Sequence, residues 1–158
     1  MKSIRLVGKH GENKITSIDD IDYEIVKSHK WWLHNAGYAF TKIHNKNVLM
    51  HRFILKPPKK MLIDHRNLNR LDNQRHNLRI CTMSENCRYK GKHRDNKSGY
   101  KGVVFEPRSK KNPWVAYIAI NAKNYNLGCF RTKKQAAIAY NKSVVKNHGL
   151  FAWVNPIN

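Results

Sequence analysis

The chain has 158 residues and carries 31 lysine and arginine side chains against 10 aspartate and glutamate side chains, a formal net charge of +21. Charge of this size repels itself in a folded protein and is typical of polyanion binders, because basic side chains that meet phosphates release condensed counterions. No apolar stretch approaches the roughly 18 residues of a membrane span. Three cysteines without a C-x-x-C pair argue against a disulfide framework. The first ten residues lack the apolar core of a signal peptide, so we expect a cytoplasmic protein.

The N-terminal part predicts short strands and one short helix. Apolar runs bounded by glycine and asparagine turns predict strands at 4–7, 37–43 and 47–50. Residues 19–30 form the predicted helix. An apolar segment at 51–55 must end at the two consecutive prolines that follow it, since proline removes a backbone donor and restricts φ.

A polar, highly charged segment at 88–98 has almost no apolar periodicity and predicts a linker, with its basic part at 91–98. After it, β-rich runs at 102–105, 114–120 and 124–130 predict three strands. The charge is uneven along the chain. Residues 1–87 carry 16 basic and 8 acidic side chains, a net +8, whereas residues 88–158 carry 15 and 2, a net +13.

A helix is predicted to follow the third strand, over residues 133–146. Thr132 and Gln135 have the spacing of a capping box, and Gly149 is suited to end the helix. Alanines on this helix allow close approach to a sheet. The predicted fold class is α+β, with a domain at 1–90, the basic linker at 91–98, and a second domain at 99–158 consisting of three antiparallel strands and one helix.

The most informative stretch is residues 62–86. A short apolar run ends in Asp64-His65, an asparagine-rich loop follows, and then come Asn77-Leu78-Arg79. Thr82 and Glu85 form a second capping-box pattern, which places Asn86 in the first turns of a helix. Phosphodiester hydrolysis needs a base that is neutral near working pH, such as histidine, and a hard cation held by oxygen ligands.

This stretch resembles the HNH nucleases, which have a ββα-metal fold, and especially the homing endonucleases of phages and mobile elements. The resemblance implies that His65 is the general base, that Asn77 orients it, and that Asp64 and Asn86 bind one Mg²⁺ or Mn²⁺ ion. It implies a sequence-specific endonuclease that hydrolyses double-stranded DNA in a bacterial or phage-infected cell. One active site per chain is compatible with a monomer or a weak dimer.

Three alternatives remain open. A DNA-binding regulator with a relic HNH unit would keep the site residues without cleaving, and a basic RNA- or ribosome-binding protein would explain the charge alone. Zinc ligation by Cys81, Cys87, His65 and His76 is disfavoured, because their spacings match no zinc template. His51 is interpreted as structural, whereas Arg52 has the chemistry of a phosphate contact.

The segment 98–155 resembles the AP2 DNA-binding domain through S-G-Y-K-G-V, W-V-A-Y-I, L-G-C-F-R-T and A-A-I-A-Y. That resemblance implies a three-stranded sheet lying in the major groove, where alternate residues of a strand face the DNA. Core packing is the alternative for the two aromatic residues among the candidates. The predicted DNA contacts in both domains are Arg52, Arg66, Arg79, Lys101, Arg108, Lys110, Trp114, Tyr117, Lys123, Asn124, Asn126 and Arg131.

Overall fold

The computed structural model describes residues 1–157 and divides the chain into two compact units, Met1–Met83 and Ser84–Asn158. The division falls at the start of a helix, α3 (Met83–Tyr89), and not in the segment 91–98, so nearly all of α3 belongs to the second unit. No helix of the described residues is long and apolar enough to cross a membrane.

The first unit contains three small antiparallel sheets. The first pairs β1 (Lys2–Arg5) with β2 (Ile15–Ile18), the second orders β3 (Trp32–Leu33), β4 (Ala39–Ile43) and β5 (Lys46–Leu49), and the third pairs β6 (Leu62–His65) with β7 (Leu78–Cys81). Two helices accompany them, α1 (Tyr23–Lys27) after a 3-10 turn at Asp20–Asp22, and α2 (Met50–Leu55).

An apolar core holds the first unit together and overrides the longer helix predicted for residues 19–30. The central side chain is Trp31, which is 1% exposed and donates its indole N–H to the Val26 carbonyl at 2.8 Å. Because the chain must turn to bury this ring, α1 ends at Lys27. The other core residues are Leu6, Ile18, Val26, Ala39, Met50 and Ile54.

Strand β2, which the sequence did not predict, holds the loop between β6 and β7. The backbone N–H of Ser17 donates to Leu71 O at 2.9 Å, and the N–H of Asn73 donates back to Ser17 O at 2.8 Å. The Thr16 hydroxyl donates to Leu71 O at 2.7 Å. The N-terminal leader is thus part of the unit that contains Asp64 and His65.

The second unit has the three strands and packed helix that the sequence predicted. The strands β8 (Val103–Phe105), β9 (Trp114–Ile120) and β10 (Lys123–Phe130) form an antiparallel sheet in the order β10-β9-β8. Helix α4 (Lys133–His148) begins with both hydrogen bonds of the capping box between Thr132 and Gln135 and ends at Gly149, whose φ is +52°.

Close packing of α4 on the sheet depends on small residues. Ala136 and Ala137 are fully buried against Val103 and Ala116. Gly102 has a φ of +73°, and a Cβ there would lie 2.3 Å from the Tyr140 ring. A side chain at this position would therefore force the helix away from the sheet.

Candidate active site

Asp64 lies opposite Arg79 in the β6–β7 pair. The Arg79 Nε and Nη2 atoms lie 2.9 Å and 2.6 Å from Asp64 Oδ2. The two side chains are only 8% and 11% exposed, for Arg79 and Asp64 respectively. Arg79, which was predicted as a DNA contact, therefore neutralises the predicted metal ligand inside the sheet.

His65 is the last residue of β6 and is 4% exposed. Its ring lies edge-on to the ring of His51 at a centroid distance of 5.2 Å, and the Tyr38 ring is at 5.8 Å. Burial lowers the pKa of His65, opposed mainly by the hydrogen bond between its ring and the Asn73 side-chain oxygen. The ring is thereby kept neutral, which is the state a general base requires.

The structure gives His65 a different neighbour from the one predicted. His65 Nε2 lies 3.4 Å from Oδ1 of Asn73, a fully buried residue. Asn77 instead spans the loop, accepting from the Asn67 N–H at 3.0 Å and donating to Asp72 O at 2.8 Å. In the structure, the contacts of Asn77 are with the loop that follows His65.

The four predicted site residues are distributed over both units. Asp64, His65 and Asn77 belong to the first unit, and Asn86 lies on α3 in the second. As expected for consecutive strand residues, Asp64 and His65 have different neighbours. Among residues 1–157, no group of three or more His, Cys, Asp or Glu side chains is arranged to hold a metal.

The donor set nevertheless fits one kind of cation. A magnesium-like ion is commonly held by one or two carboxylates, with water and substrate phosphate completing its coordination. Asp64 supplies such a carboxylate, and the two Arg79 contacts described above are both with Oδ2.

Two predicted DNA contacts of the second unit have other partners. The Lys101 ammonium donates to Arg88 O at 2.6 Å and to Lys90 O, so it caps the end of α3. Trp114 packs against the buried cluster under α4 and lies 5.0 Å from the Phe105 ring. Trp114 is thus half-buried and packs on the core of the second unit.

The face of the β8–β10 sheet opposite α4 carries other predicted DNA contacts. Tyr117 is half-buried and pairs with Asn126, and Asn124 pairs with Ala119 on the same face.

Arg52, in the first unit, is half-buried and donates to Met61 O at 3.1 Å. The remaining candidates are exposed: Arg66, Arg108, Lys110, Lys123, Asn124, Asn126 and Arg131.

Sequence reasoning missed Asn73 and Thr16 as neighbours of the site. Asn73 stands in the Leu71-Asp72-Asn73 run of the loop, which is a visible signal. Thr16 gives no signal at all, because its contact with Asn73 joins residues 57 positions apart.

The HNH endonuclease family matches residues 56–88, a range that includes all four predicted site residues. An uncharacterized HNH endonuclease of Acanthamoeba polyphaga mimivirus is 30% identical over 142 residues, covering 86% of this chain and 72% of the viral protein. The chain belongs to the HNH endonuclease family. No solved structure matches it.

Membership of the HNH endonuclease family indicates nuclease activity with DNA as the substrate. It agrees with the strong positive charge, which favours phosphate backbones. The family match ends at residue 88, so it does not extend to the sheet and helix of the second unit.

Proposed function

We propose that this HNH endonuclease hydrolyses phosphodiester bonds of double-stranded DNA, leaving 5′-phosphate and 3′-hydroxyl ends, with His65 as the general base. The observation that carries the proposal is the buried, neutral ring of His65 at the end of β6, next to Asp64. A neutral imidazole can take the proton of an attacking water, which contributes roughly 10²–10⁴-fold to such reactions.

Asp64 and Asn86 are the proposed ligands of a single Mg²⁺ or Mn²⁺ ion. Such an ion, when bound, stabilises negative charge on the phosphate and on the departing 3′ oxygen. Arg79 orients the Asp64 carboxylate through contacts of 2.6 and 2.9 Å. Asn77 supports the same strand end by fixing the loop after His65.

The second unit is proposed to be an AP2-like module that selects the target sequence. The support is its net charge and the sheet face opposite α4, which presents Tyr117, Asn124 and Asn126. Arginine and lysine side chains are suited to guanine edges and phosphates, and asparagine side chains are suited to adenine. Exposed Arg108, Lys123 and Arg131 add the charge that holds DNA. A role as a homing endonuclease of a phage or mobile element, acting as a monomer or weak dimer, completes the proposal.

The test is cleavage of supercoiled DNA from the host virus or cell with Mg²⁺, with Mn²⁺ and with EDTA. We expect nicked or linear DNA with either metal and intact DNA with EDTA. His65→Ala should lose cleavage by at least about 100-fold, as expected for removal of a general base. DNA binding, measured by fluorescence anisotropy, should stay within twofold.

A matched control is His10→Ala, because His10 is an exposed histidine in the same unit. It should cleave at the wild-type rate. Unchanged cleavage by His65→Ala would reject His65 as the base. Binding by all three proteins without cleavage of DNA that contains the bound sequence would instead favour a DNA-binding regulator.

A further inference from the structure

A chain of side-chain hydrogen bonds leads from β2 to the ring of His65. The Thr16 hydroxyl lies 2.7 Å from Leu71 O, Asn73 Nδ2 lies 2.8 Å from Thr16 Oγ1, and Asn73 Oδ1 lies 3.4 Å from His65 Nε2. Thr16 and Asn73 are fully buried, and His65 is 4% exposed. Most buried polar atoms in proteins have a hydrogen-bond partner, and these side chains supply one another's.

The direction of these hydrogen bonds follows from the number of protons available. A threonine hydroxyl has a single proton, and the carbonyl of Leu71 at 2.7 Å is a stronger acceptor than the Met50 sulfur at 3.7 Å. With its proton given to Leu71, Thr16 Oγ1 can only accept from Asn73. The Asn73 side chain therefore presents its NH₂ group to Thr16 and its carbonyl oxygen to His65.

This arrangement determines which nitrogen of the neutral His65 ring carries the proton. A carbonyl oxygen accepts and does not donate, so Nε2 must hold the hydrogen when it faces Asn73 Oδ1. The other nitrogen, Nδ1, then has the free electron pair. The backbone of Asn73 is fixed as well, since its N–H donates to Ser17 O at 2.8 Å.

We propose that Thr16 and Asn73 are positioning residues that hold His65 as the Nε2–H tautomer, so that Nδ1 is the atom that accepts the proton of the attacking water. The inference rests on the proposed role of His65 as the base. In the reaction, a water O–H bond breaks and its proton moves to Nδ1. The water oxygen forms a bond to phosphorus, the bond to the 3′ oxygen breaks, and that oxygen leaves with its electron pair.

The decisive measurement is ¹⁵N NMR of protein labelled at histidine, at pH 8 and without DNA or divalent cation. We expect the Nε2 of His65 in the wild-type protein to show the chemical shift of a protonated nitrogen, and Nδ1 that of an unprotonated one. Protonation at Nδ1 would overturn the inference. This reading requires no variant and no enzymatic activity.

Variants then test whether this chain of hydrogen bonds affects catalysis. Asn73→Leu removes the acceptor for Nε2, so we expect a mixture of tautomers and a fall in kcat of about 10- to 100-fold with DNA affinity within twofold, the usual effect of losing such a partner. Thr16→Val should give a smaller loss, and Thr16→Ser, which keeps the hydroxyl, should restore the wild-type tautomer and rate.

Thr41→Val is the matched control, because Thr41 is a buried threonine of β4 in the same unit. It should leave both the NMR spectrum of His65 and kcat unchanged. A loss with Thr41→Val equal to that with Thr16→Val would show that the effect is general destabilisation and overturn the positioning role. Cleavage by His65→Ala would reject the base itself, whereas an Nδ1–H tautomer in an enzyme that needs His65 would reject this inference alone.

Discussion

Replacing His51 by phenylalanine is expected to make the first unit more resistant to acid. His51 is 5% exposed, lies between the rings of Tyr38 and His65, and its Nδ1 has no hydrogen-bond partner among residues 1–157. Burial, with smaller contributions from the neighbouring His65 and Arg52 side chains, lowers its pKa to about 3. Phenylalanine keeps an aromatic ring in the same place and removes the titrating group.

The magnitude follows from linkage between protonation and folding. The unfolded chain takes up a proton at His51 below a pKa of about 6.5, while the folded unit resists protonation down to about 3. The stability is therefore fully present above pH 6.5 and is lost as the pH falls towards 3. Between pH 7 and pH 4.5 the wild-type unit should lose about 2.5 kcal/mol through this residue, at about 1.4 kcal/mol per pH unit.

The assay is urea unfolding at pH 7, 6, 5 and 4.5. Unfolding is detected by peptide-resolved hydrogen exchange, so that the two units are observed separately. The carboxylates titrate in both proteins and cancel in the comparison. The gap between His51→Phe and wild type should widen by about 2.5 kcal/mol over this range, while peptides of the second unit unfold alike. A constant gap would refute the assignment of a depressed pKa to His51.

Three further outcomes are expected. Because burial lowers the pKa of His65, the acid limb of the cleavage rate should have its midpoint below pH 6.5, and a midpoint above that value would contradict the buried base. Gly102→Ala should lower the unfolding free energy of the second unit by about 3 kcal/mol. Gly99→Ala is the control, because Gly99 also has a positive φ but nothing lies within 4 Å of the added Cβ. The difference between the two variants in calorimetry gives the cost of the steric clash at Gly102. Arg75→Gln leaves the buried carboxylate of Asp22 without its bidentate partner and should cost the first unit about 1–2 kcal/mol in urea unfolding, because Arg75 is half exposed; no change would show that Asp22 is satisfied without it.

The second unit was predicted well because its signals are local. Strand β9 has the predicted bounds, and α4 begins at the predicted capping box. Turn residues and caps lie next to the elements they delimit, so a short stretch of sequence contains the necessary information.

The first unit was predicted less completely because distant contacts determine it. The predicted helix at 19–30 is shortened by the burial of Trp31, and β2 forms where no strand was expected. Its short sequence pairs with β1, a partner that periodicity alone does not reveal.

In the candidate site, too, features with local signals were predicted and features that depend on distant contacts were not. The strand that ends in Asp64 and His65 was predicted from its apolar run and the loop that follows. The ion pair between Arg79 and Asp64 was not predicted, because composition does not reveal that the β6–β7 register places a carboxylate opposite Arg79. Likewise, Asn73 and not Asn77 faces His65, a choice that depends on how the loop folds.

The attachment of the leader to the β6–β7 loop determines how this nuclease can be trimmed or transplanted. The family match begins at residue 56, yet the loop beside His65 is held by Thr16, Ser17 and the carboxylates of Asp19 and Asp22. A fragment cut at residue 56, or fused there to a foreign DNA-binding protein, would retain the motif and lose these supports. A functional fragment of this nuclease therefore has to include the leader, and chimeras should place their N-terminal junctions before β1, which pairs with β2.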